Sequence, residues 1–191
     1  MVLCGAAAVA LLAAQGRPGA PAWAAAGVLY AGAALIAPTV LRVDVSFGFA
    51  AMLFLFAIVW ATDIFGYFIG HWIGGPKLWP AVSPKKTWSG AIGGAIGALA
   101  ASLAVARYAG AVNLLAIAAL ALLLSAVSQA GDLFESAVKR RFGVKDASHV
   151  IPGHGGIMDR LDGFLVAAVV AALIGIAHGG LAAPARALLV W

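Results

Sequence analysis

Charge and cysteine are both scarce in this sequence. Only 10% of its 191 residues are charged, whereas a soluble domain usually carries about a quarter, and the mean hydropathy is +1.04. This composition excludes an ordinary soluble domain and predicts an integral membrane protein. The single cysteine, Cys4, excludes an internal disulfide framework and a multi-cysteine metal site, and we interpret it as a small buried apolar residue.

Long apolar runs predict the transmembrane helices. A helix needs about 20 mostly apolar residues to cross the hydrocarbon of a bilayer. We interpret five runs as spans: 22–37, 45–73, 88–106, 112–130 and 163–177. The predicted fold is therefore an all-α, polytopic membrane helix bundle.

The two ends of the sequence are less regular. Residues 1–14 are expected to form a sixth membrane helix rather than a signal segment, because this run lacks a basic n-region. Together with the next run it gives an expected transmembrane hairpin over residues 1–44, followed by the main transmembrane domain over residues 45–191. The tail, residues 181–191, is too short to cross and is expected to lie at the membrane interface.

Basic residues are concentrated in two segments, 74–87 and 132–162, which are expected to be loops. Two spans separate these segments, so both are expected on the same side of the membrane. The positive-inside rule makes that side the cytoplasm of a bacterial-type inner or plasma membrane. The net charge of +5 is then explained by topology and by attraction to anionic lipid or nucleotide phosphates, and nucleic acid is not an expected partner.

A glycine-rich stretch, residues 90–97, begins one of the predicted spans. Its small residues recur at four-residue spacing, which lets helix backbones approach closely. A phosphate-binding glycine loop is the alternative, but no strand is predicted before it and no Walker-type Gly-Lys-Ser/Thr follows it. We interpret the stretch as a packing feature.

Most of the acidic residues lie close together. Five of the seven are found between Asp132 and Asp162. If the helix of the fourth span continues past Asp132, then Glu135, Ser136 and Lys139 follow on the same face. One face would then present two carboxylates, a hydroxyl and an ammonium to one space.

A second pair of acids, Asp159 and Asp162, stands at the entry to the fifth span. Carboxylates from two helix ends are a plausible seat for Mg²⁺, which prefers one or two carboxylates with water and substrate phosphates. The alternative is that these acids only form ion pairs with nearby arginines. The arginines concerned are Arg140, Arg141 and Arg160.

Three further motifs carry polar groups toward the same side. In PGHGG (152–156), glycines around His154 offer bare N–H groups that suit a phosphate, and a structural turn is the alternative. In SPKKTW (83–88), adjacent lysines form a candidate polyanion clamp, with lipid-headgroup contact as the alternative. Asp63 is an acid in or at the end of an apolar run, which makes it a candidate functional residue or one half of a buried ion pair.

The segment SAVKRRFGVKDASHVIPGHGGIMDRLD (136–162) resembles the signature of the phosphatidate cytidylyltransferases, the CDP-diacylglycerol synthases, at every defined position. The segments GDLFES (131–136), SPKKTW (83–88) and TDIFGYFIG (62–70) also resemble segments of that family, in the expected order. Two departures are a serine after SPKKTW, where the family commonly has Glu, and GYF where AYF is frequent.

This resemblance implies a reaction of CTP with phosphatidate that gives CDP-diacylglycerol and pyrophosphate with Mg²⁺, and a second cation such as K⁺ is left open. It implies a membrane enzyme whose site lies at the cytoplasmic helix ends, in contact with membrane lipid, and a homodimer is left open. The implied metal ligands are Asp132, Asp159 and Asp162. The implied catalytic residues are Asp132, Lys145, Asp146, His154, Asp159 and Asp162. The implied substrate-binding residues are Asp63, Ser83, Lys85, Lys86, Glu135, Ser136, Lys139, Arg140, Gly155, Gly156 and Arg160.

Two alternatives stay open at this point. A related CTP-dependent cytidylyltransferase or kinase acting on another membrane lipid would need similar phosphate clamps. A transporter would also place charges among helices, but it predicts them near the middle of the spans rather than at the ends. A CDP-alcohol phosphotransferase is rejected, because the residues after Gly163 lack the arginine of its motif.

Overall fold

The structure, a computed structural model, describes the backbone of residues 20–144 and 158–191 and the side chains of residues 21–144 and 161–191. Within these residues the chain forms six helices and one two-stranded sheet. The helices are α1 (Ala20–Arg42), α2 (Gly48–Ile73), α3 (Trp88–Tyr108), α4 (Leu114–Arg141), α5 (Met158–Gly179) and α6 (Pro184–Leu189), and the strands are β1 (Lys77–Trp79) and β2 (Ser83–Thr87).

Five helices, α1 to α5, are long and apolar enough to cross a membrane. They coincide with the five predicted runs, so the prediction of an all-α polytopic membrane protein is confirmed. The long run 45–73 forms one continuous helix from Gly48 to Ile73. The expected sixth helix, over residues 1–14, lies outside the described residues, and so does the first half of the expected N-terminal hairpin.

Short capped connections join the helices at one end of the bundle. Asp44 Oδ1 accepts hydrogen bonds from the backbone N–H groups of Ser46 (3.0 Å) and Phe47 (2.8 Å) before α2 begins. Asn113 Oδ1 accepts from Ala116 N (3.2 Å) at the start of α4. Asn113 satisfies an N–H group that a helix start leaves without an intrahelical partner, and Asp44 holds the turn that precedes α2. We call this the opposite end; it comprises residues 43–47, 109–113 and 180–183.

The other end carries the sheet, and we call it the hairpin end. Residues 74–87, expected to be a loop, include β1 and β2, which pair antiparallel with Lys77 opposite Thr87. Gly74 (φ 64°) and Gly75 (φ 100°) turn the chain out of α2, which a residue with a side chain rarely allows. The second basic segment, 132–162, is also not loop throughout, because α4 continues to Arg141 and α5 begins at Met158.

Glycines bring α2 and α3 close together over the part of each helix nearest the hairpin, residues 62–70 and 90–97. A Cβ atom placed on Gly90 would lie 2.6 Å from Gly66 O, and one placed on Gly94 would lie 2.6 Å from Thr62 O. Side chains at these positions would force the helices apart. The prediction that the glycine-rich stretch serves helix packing is confirmed. This close pair fixes the position of the hairpin that connects the two helices.

The helices surround an apolar core. Phe54, Leu55 and Ile58 of α2 are fully buried, together with Leu124 of α4 and small residues of α5. The tail also packs on the bundle: Leu188 of α6 is fully buried, and the ring of Trp191 stacks on His178 at 4.2 Å. The tail therefore forms part of the folded bundle.

Candidate active site

An ion pair joins the two basic segments at the hairpin end. Lys86 Nζ, from β2, donates a hydrogen bond to Asp132 Oδ2, from α4. Asp132 Oδ1 accepts a further hydrogen bond from Ser136 Oγ, one helical turn along, at 3.3 Å. The lysine and the carboxylate are each about 30% exposed, at 30% and 31%, so the pair remains open to solvent and ligands.

Two further carboxylates lie around Asp132. Asp63 of α2 is exposed and is close enough to Asp132 and Lys86 for electrostatic interaction. Asp162 of α5 is likewise close to Asp132 and Glu135, and its Oδ1 accepts from the N–H of Gly163 at 2.7 Å. Three helices therefore bring acids to one region of the hairpin end.

Glu135 and Lys139 form the neighbouring ion pair on the same face of α4. Lys139 Nζ lies 3.4 Å from Glu135 Oε1, and the side chains are only 14% and 15% exposed. Charges this well buried are held by partners, because an unpaired charge in a low-dielectric environment is costly. The sequence-based expectation that Asp132, Glu135, Ser136 and Lys139 share one helical face is confirmed.

A cavity of about 610 Å³ opens beside the Lys86–Asp132 pair. Its α2 wall consists of residues at helical spacing, which include Asp63, Tyr67 and His71. The hairpin contributes Lys77, Lys85 and Lys86, and Gln129 of α4 lies at the inner side. A volume of this size suits a nucleotide-sized ligand, and the lysines suit an anionic one.

The acidic residues fit a magnesium ion, although the described side chains alone include no group of three potential ligands close enough to form a metal cluster. Mg²⁺ is usually held by one or two carboxylates, and substrate phosphates and water complete its shell. Asp132 and Asp162 are two such carboxylates within electrostatic range of each other. Lys86 on Asp132 also indicates that positive charge is favourable at this position.

The sequence of this chain is also similar to sequences of known proteins. The sequence model of the cytidylyltransferase family matches residues 2–177. The chain belongs to the cytidylyltransferase family. The family match therefore covers α1 to α4, the hairpin and most of α5, including every described residue of the site.

Curated relatives of this cytidylyltransferase-family protein carry a more specific name. A protein named phosphatidate cytidylyltransferase from Brucella abortus (strain 2308) is 54% identical over 153 residues, which cover 80% of this chain and 57% of that protein. A protein of the same name from Staphylococcus aureus (strain COL) is 45% identical over 119 residues, which cover 62% of this chain and 46% of that protein. The chain thus spans about half the length of these relatives.

Several predicted site residues lie where the structure describes only part of them or none. Lys145, Asp146, His154, Gly155 and Gly156 lie outside the described residues. Asp159 and Arg160 belong to the first turn of α5, but their side chains are not among those described. Their predicted roles remain predictions.

The remaining predicted residues are distributed over the hairpin and α4. Ser83 begins β2, and Lys85 is exposed and lines the cavity. Arg140 is exposed, and its Nη1 lies 3.5 Å from Val144 O. Arg141 lies over the ring of Trp23, with its Cζ 5.7 Å from the ring centre. In the ion pairs between described side chains, the site acids are paired with lysines rather than with these two arginines.

Sequence reasoning missed a set of neutral polar residues beneath the charges. Thr62 Oγ1 and Ser125 Oγ are buried and lie 2.8 Å apart, joining α2 to α4. Gln129 Nε2 donates to Ala91 O of α3 at 3.3 Å. Polar residues within an apolar span indicate a functional or packing role. The polar residues of the segment SAVSQ (125–129) could therefore have identified this position from the sequence.

Tyr30 of α1 was also missed. Its hydroxyl is buried, and among the described residues it has no hydrogen-bond partner. It lies within electrostatic range of Glu135, Lys139 and Asp162, so α1 also borders the acidic region. A tyrosine in an apolar helix gives no sequence signal that distinguishes this position from a lipid-facing one.

Proposed function

We propose that this cytidylyltransferase-family protein transfers the cytidylyl group of CTP to phosphatidate, giving CDP-diacylglycerol and pyrophosphate. The observation that carries the proposal is the Lys86–Asp132 pair at the edge of a lysine-lined cavity, where acids from α2, α4 and α5 meet. The names of the Brucella and Staphylococcus relatives support the same reaction.

The proposed reaction needs little acid–base chemistry from the protein. A phosphate oxygen of phosphatidate attacks the α-phosphorus of CTP, a new P–O bond forms, and the bond to the β-phosphate breaks to release pyrophosphate. The attacking oxygen is already an anion, so no strong base is required. Catalysis then depends on holding two polyanions in line and on neutralising their charge.

The hairpin lysines supply part of that neutralisation. Lys77, Lys85 and Lys86 line one cavity, and ammonium groups make charge-assisted hydrogen bonds to phosphate oxygens. Lys86 is the most constrained of the three, because Asp132 holds its ammonium at the edge of the acidic region. In the proposal Lys86 contacts the phosphates nearest the reacting atom, while Lys77 and Lys85 contact the leaving pyrophosphate.

Asp132 and Asp162, with Asp159, would hold Mg²⁺ in this proposal. The ion would supply charge neutralisation at the phosphates of CTP. Ser136 keeps Asp132 oriented through its 3.3 Å hydrogen bond, and the N–H of Gly163 does the same for Asp162 at 2.7 Å. These contacts hold the carboxylates in place before any substrate arrives.

The proposed location of the reaction is the cytoplasmic surface of the membrane. CTP then reaches the cavity from water, and phosphatidate reaches it laterally from the leaflet. The lysines and arginines of the hairpin end support this orientation, because basic segments are retained in the cytoplasm.

Transfer of label from CTP to lipid tests the proposal and separates it from its nearest alternative. The purified protein is incubated with phosphatidate and Mg²⁺, once with CTP labelled in the α-phosphate and once with CTP labelled in the γ-phosphate. Cytidylyl transfer predicts lipid-bound label only from the α-position. Lipid-bound label from the γ-position indicates a kinase and would contradict the proposal, as would an absence of transfer to phosphatidate alongside transfer to another lipid acceptor.

A further inference from the structure

Three helices, α2, α3 and α4, contact one another at a similar depth in the bundle beside the cavity. Thr62 of α2 contacts Ser125 of α4 at 2.8 Å, and both helices run from the opposite end toward the hairpin end. Tyr67 follows Thr62 by five residues and Gln129 follows Ser125 by four, about 7.5 Å and 6 Å along the two helix axes, so Tyr67 and Gln129 lie at similar depth. Ala91 of α3 joins this level through its hydrogen bond with Gln129.

The hydrogen bonds of Gln129 fix the orientation of its carboxamide. Nε2 donates to Ala91 O at 3.3 Å and lies 3.4 Å from Ser125 Oγ. A backbone carbonyl can only accept, so the amide must present its NH₂ group to α3. None of the hydrogen bonds between described residues uses Gln129 Oε1. Gln129 lines the cavity, so its carboxamide oxygen is the atom of this side chain that is left to accept a hydrogen bond from a ligand there.

A fixed acceptor distinguishes the two common pyrimidine bases. Cytosine carries an exocyclic amine at C4, which donates, whereas a uracil-type base carries a carbonyl oxygen there, which accepts. An acceptor in the protein can bond the cytosine amine, but it would face the uracil oxygen with both groups unsatisfied. Sites built around one substrate N–H reject the analogue that lacks it more strongly than apolar pockets reject a methyl group.

The α2 wall provides a surface on which a base can stack. Tyr67 and His71 are one turn apart, both line the cavity, and their rings are parallel within 6°. Tyr67 is 69% exposed. Stacking on an aromatic face tolerates any base, so this wall would add affinity for a nucleotide without selecting cytosine.

The charges on α4 set the direction of the nucleotide. Asp132 follows Gln129 by three residues, about 4.5 Å along the helix axis toward the hairpin end, and its partner is Lys86. A base at Gln129 would place the phosphates toward Asp132 and the hairpin lysines. This arrangement puts the triphosphate among the cations and the base deeper in the cavity, where Asp63, Tyr67 and Gln129 line it.

We infer that Gln129 selects cytosine by accepting a hydrogen bond from its 4-amino group, with Tyr67 and His71 as the stacking wall. This inference rests on the proposed function, because it names the base subsite of the same nucleotide. It makes Gln129 a specificity-determining residue that contacts CTP away from the reacting phosphorus.

The inference is tested by a thermodynamic cycle in which the Gln129 side chain and the 4-amino group of the base are each removed, separately and together. Equilibrium affinity is measured for CTP, for UTP and for a CTP analogue that has hydrogen in place of the 4-amino group. Wild-type protein is expected to bind the analogue about ten- to a hundredfold more weakly than CTP, the range for one unsatisfied hydrogen bond. In Gln129→Met the analogue and CTP should bind alike, because the acceptor is absent.

Matched controls separate base selection from general damage. Ser128→Ala changes the preceding residue, which is buried and does not line the cavity, and it should keep the preference for CTP. Tyr67→Leu and Lys85→Ala should weaken CTP and UTP by the same factor. The wild-type measurement with the analogue needs no variant, so equal affinity for the analogue and CTP would overturn the inference even if Gln129→Met does not fold.

Two outcomes would overturn the inference. One is wild-type affinity for the analogue equal to that for CTP, and the other is a CTP preference that survives Gln129→Met but disappears in Asp63→Asn. Binding is measured without turnover and without phosphatidate. Failure of label transfer to lipid would therefore contradict the proposed function alone, while these binding ratios would still decide the role of Gln129.

Discussion

The two ends of this bundle are built from the same helices but differ in chemistry. At the opposite end, short connections are closed by Asp44 and Asn113, whose side chains, among the described residues, bond the backbone N–H groups of residues two or three positions along the chain. At the hairpin end, Lys86, Asp132, Glu135 and Lys139 bond one another across or along elements. The comparison teaches that the polar side chains Asp44 and Asn113 stabilise short connections at one end, whereas the acids at the other are gathered around a cavity.

Removal of a site acid should produce the largest difference between the ends. Asp132→Asn is expected to lower turnover of labelled CTP into lipid by about a hundred- to a thousandfold, the scale of losing a group that stabilises charge in the transition state. Asp44→Asn at the opposite end is the matched control and should keep wild-type turnover, since its side chain bonds the backbone of the adjoining turn, far along the bundle from the cavity. Comparable losses of turnover in both variants would contradict the proposed difference in chemistry between the two ends.

The hairpin lysines should give the next largest effect. Lys86→Ala and Lys85→Ala are each expected to lower kcat/KM for CTP by about ten- to a hundredfold, as expected for one charge-assisted contact. Lys86→Ala should be the more severe because Asp132 holds that lysine in place. If the lysines contact only lipid headgroups, the response to CTP stays unchanged while the dependence on phosphatidate surface concentration weakens, and the clamp assignment fails.

Packing between α2 and α3 should affect stability rather than chemistry. Gly94→Ala would bring a Cβ atom to 2.6 Å from Thr62 O, and overpacking of this kind costs about 1–3 kcal/mol. Gly27→Ala is the control, because no atom of the residues that the structure describes lies within 4 Å of the added atom. Thermal unfolding in detergent measures both variants. A Gly94→Ala protein as stable as Gly27→Ala would mean that the helices are not in this contact.

Ser136→Ala should give the smallest effect. The Ser136–Asp132 hydrogen bond is long, at 3.3 Å, and a neutral hydroxyl donor of this kind contributes about 0.5–1.5 kcal/mol. Turnover is expected to fall by about two- to tenfold, with affinity for CTP less affected than kcat. A loss as large as that of Asp132→Asn would show that Ser136 contacts substrate rather than orienting the carboxylate.

Local patterns predicted the helices and their packing, because hydropathy and small-residue spacing are properties of neighbouring residues. The runs that became α1 to α5 and the glycine-rich stretch 90–97 belong to this class. The hairpin was not predicted, since KLW and SPKKT are short, contain proline or lysine, and have no strand-like alternation of apolar residues.

Contacts between distant residues could not be derived from the same patterns. Lys86 and Asp132 are 46 residues apart, and Thr62 and Ser125 are 63 residues apart. The charge asymmetry predicted that the segments of Lys86 and Asp132 lie on the same side of the membrane, but it did not predict that these segments contact each other. The α2 residues that contact Gly90 and Gly94 could not be predicted either, because the sequence has many small residues that could pack against a glycine.

Protection of the cavity by nucleotide tests the central claim, that CTP binds at the hairpin end. Single cysteines are placed at Leu78, which lines the cavity, and at Val112, which is 86% exposed at the opposite end, both in a Cys4→Ser background. Saturating CTP with Mg²⁺ should slow thiol labelling at Leu78→Cys by at least about tenfold, as expected for a site occupied more than nine-tenths of the time, and leave Val112→Cys unchanged. Equal labelling of Leu78→Cys with and without CTP, in protein that still transfers label to lipid, would contradict the account.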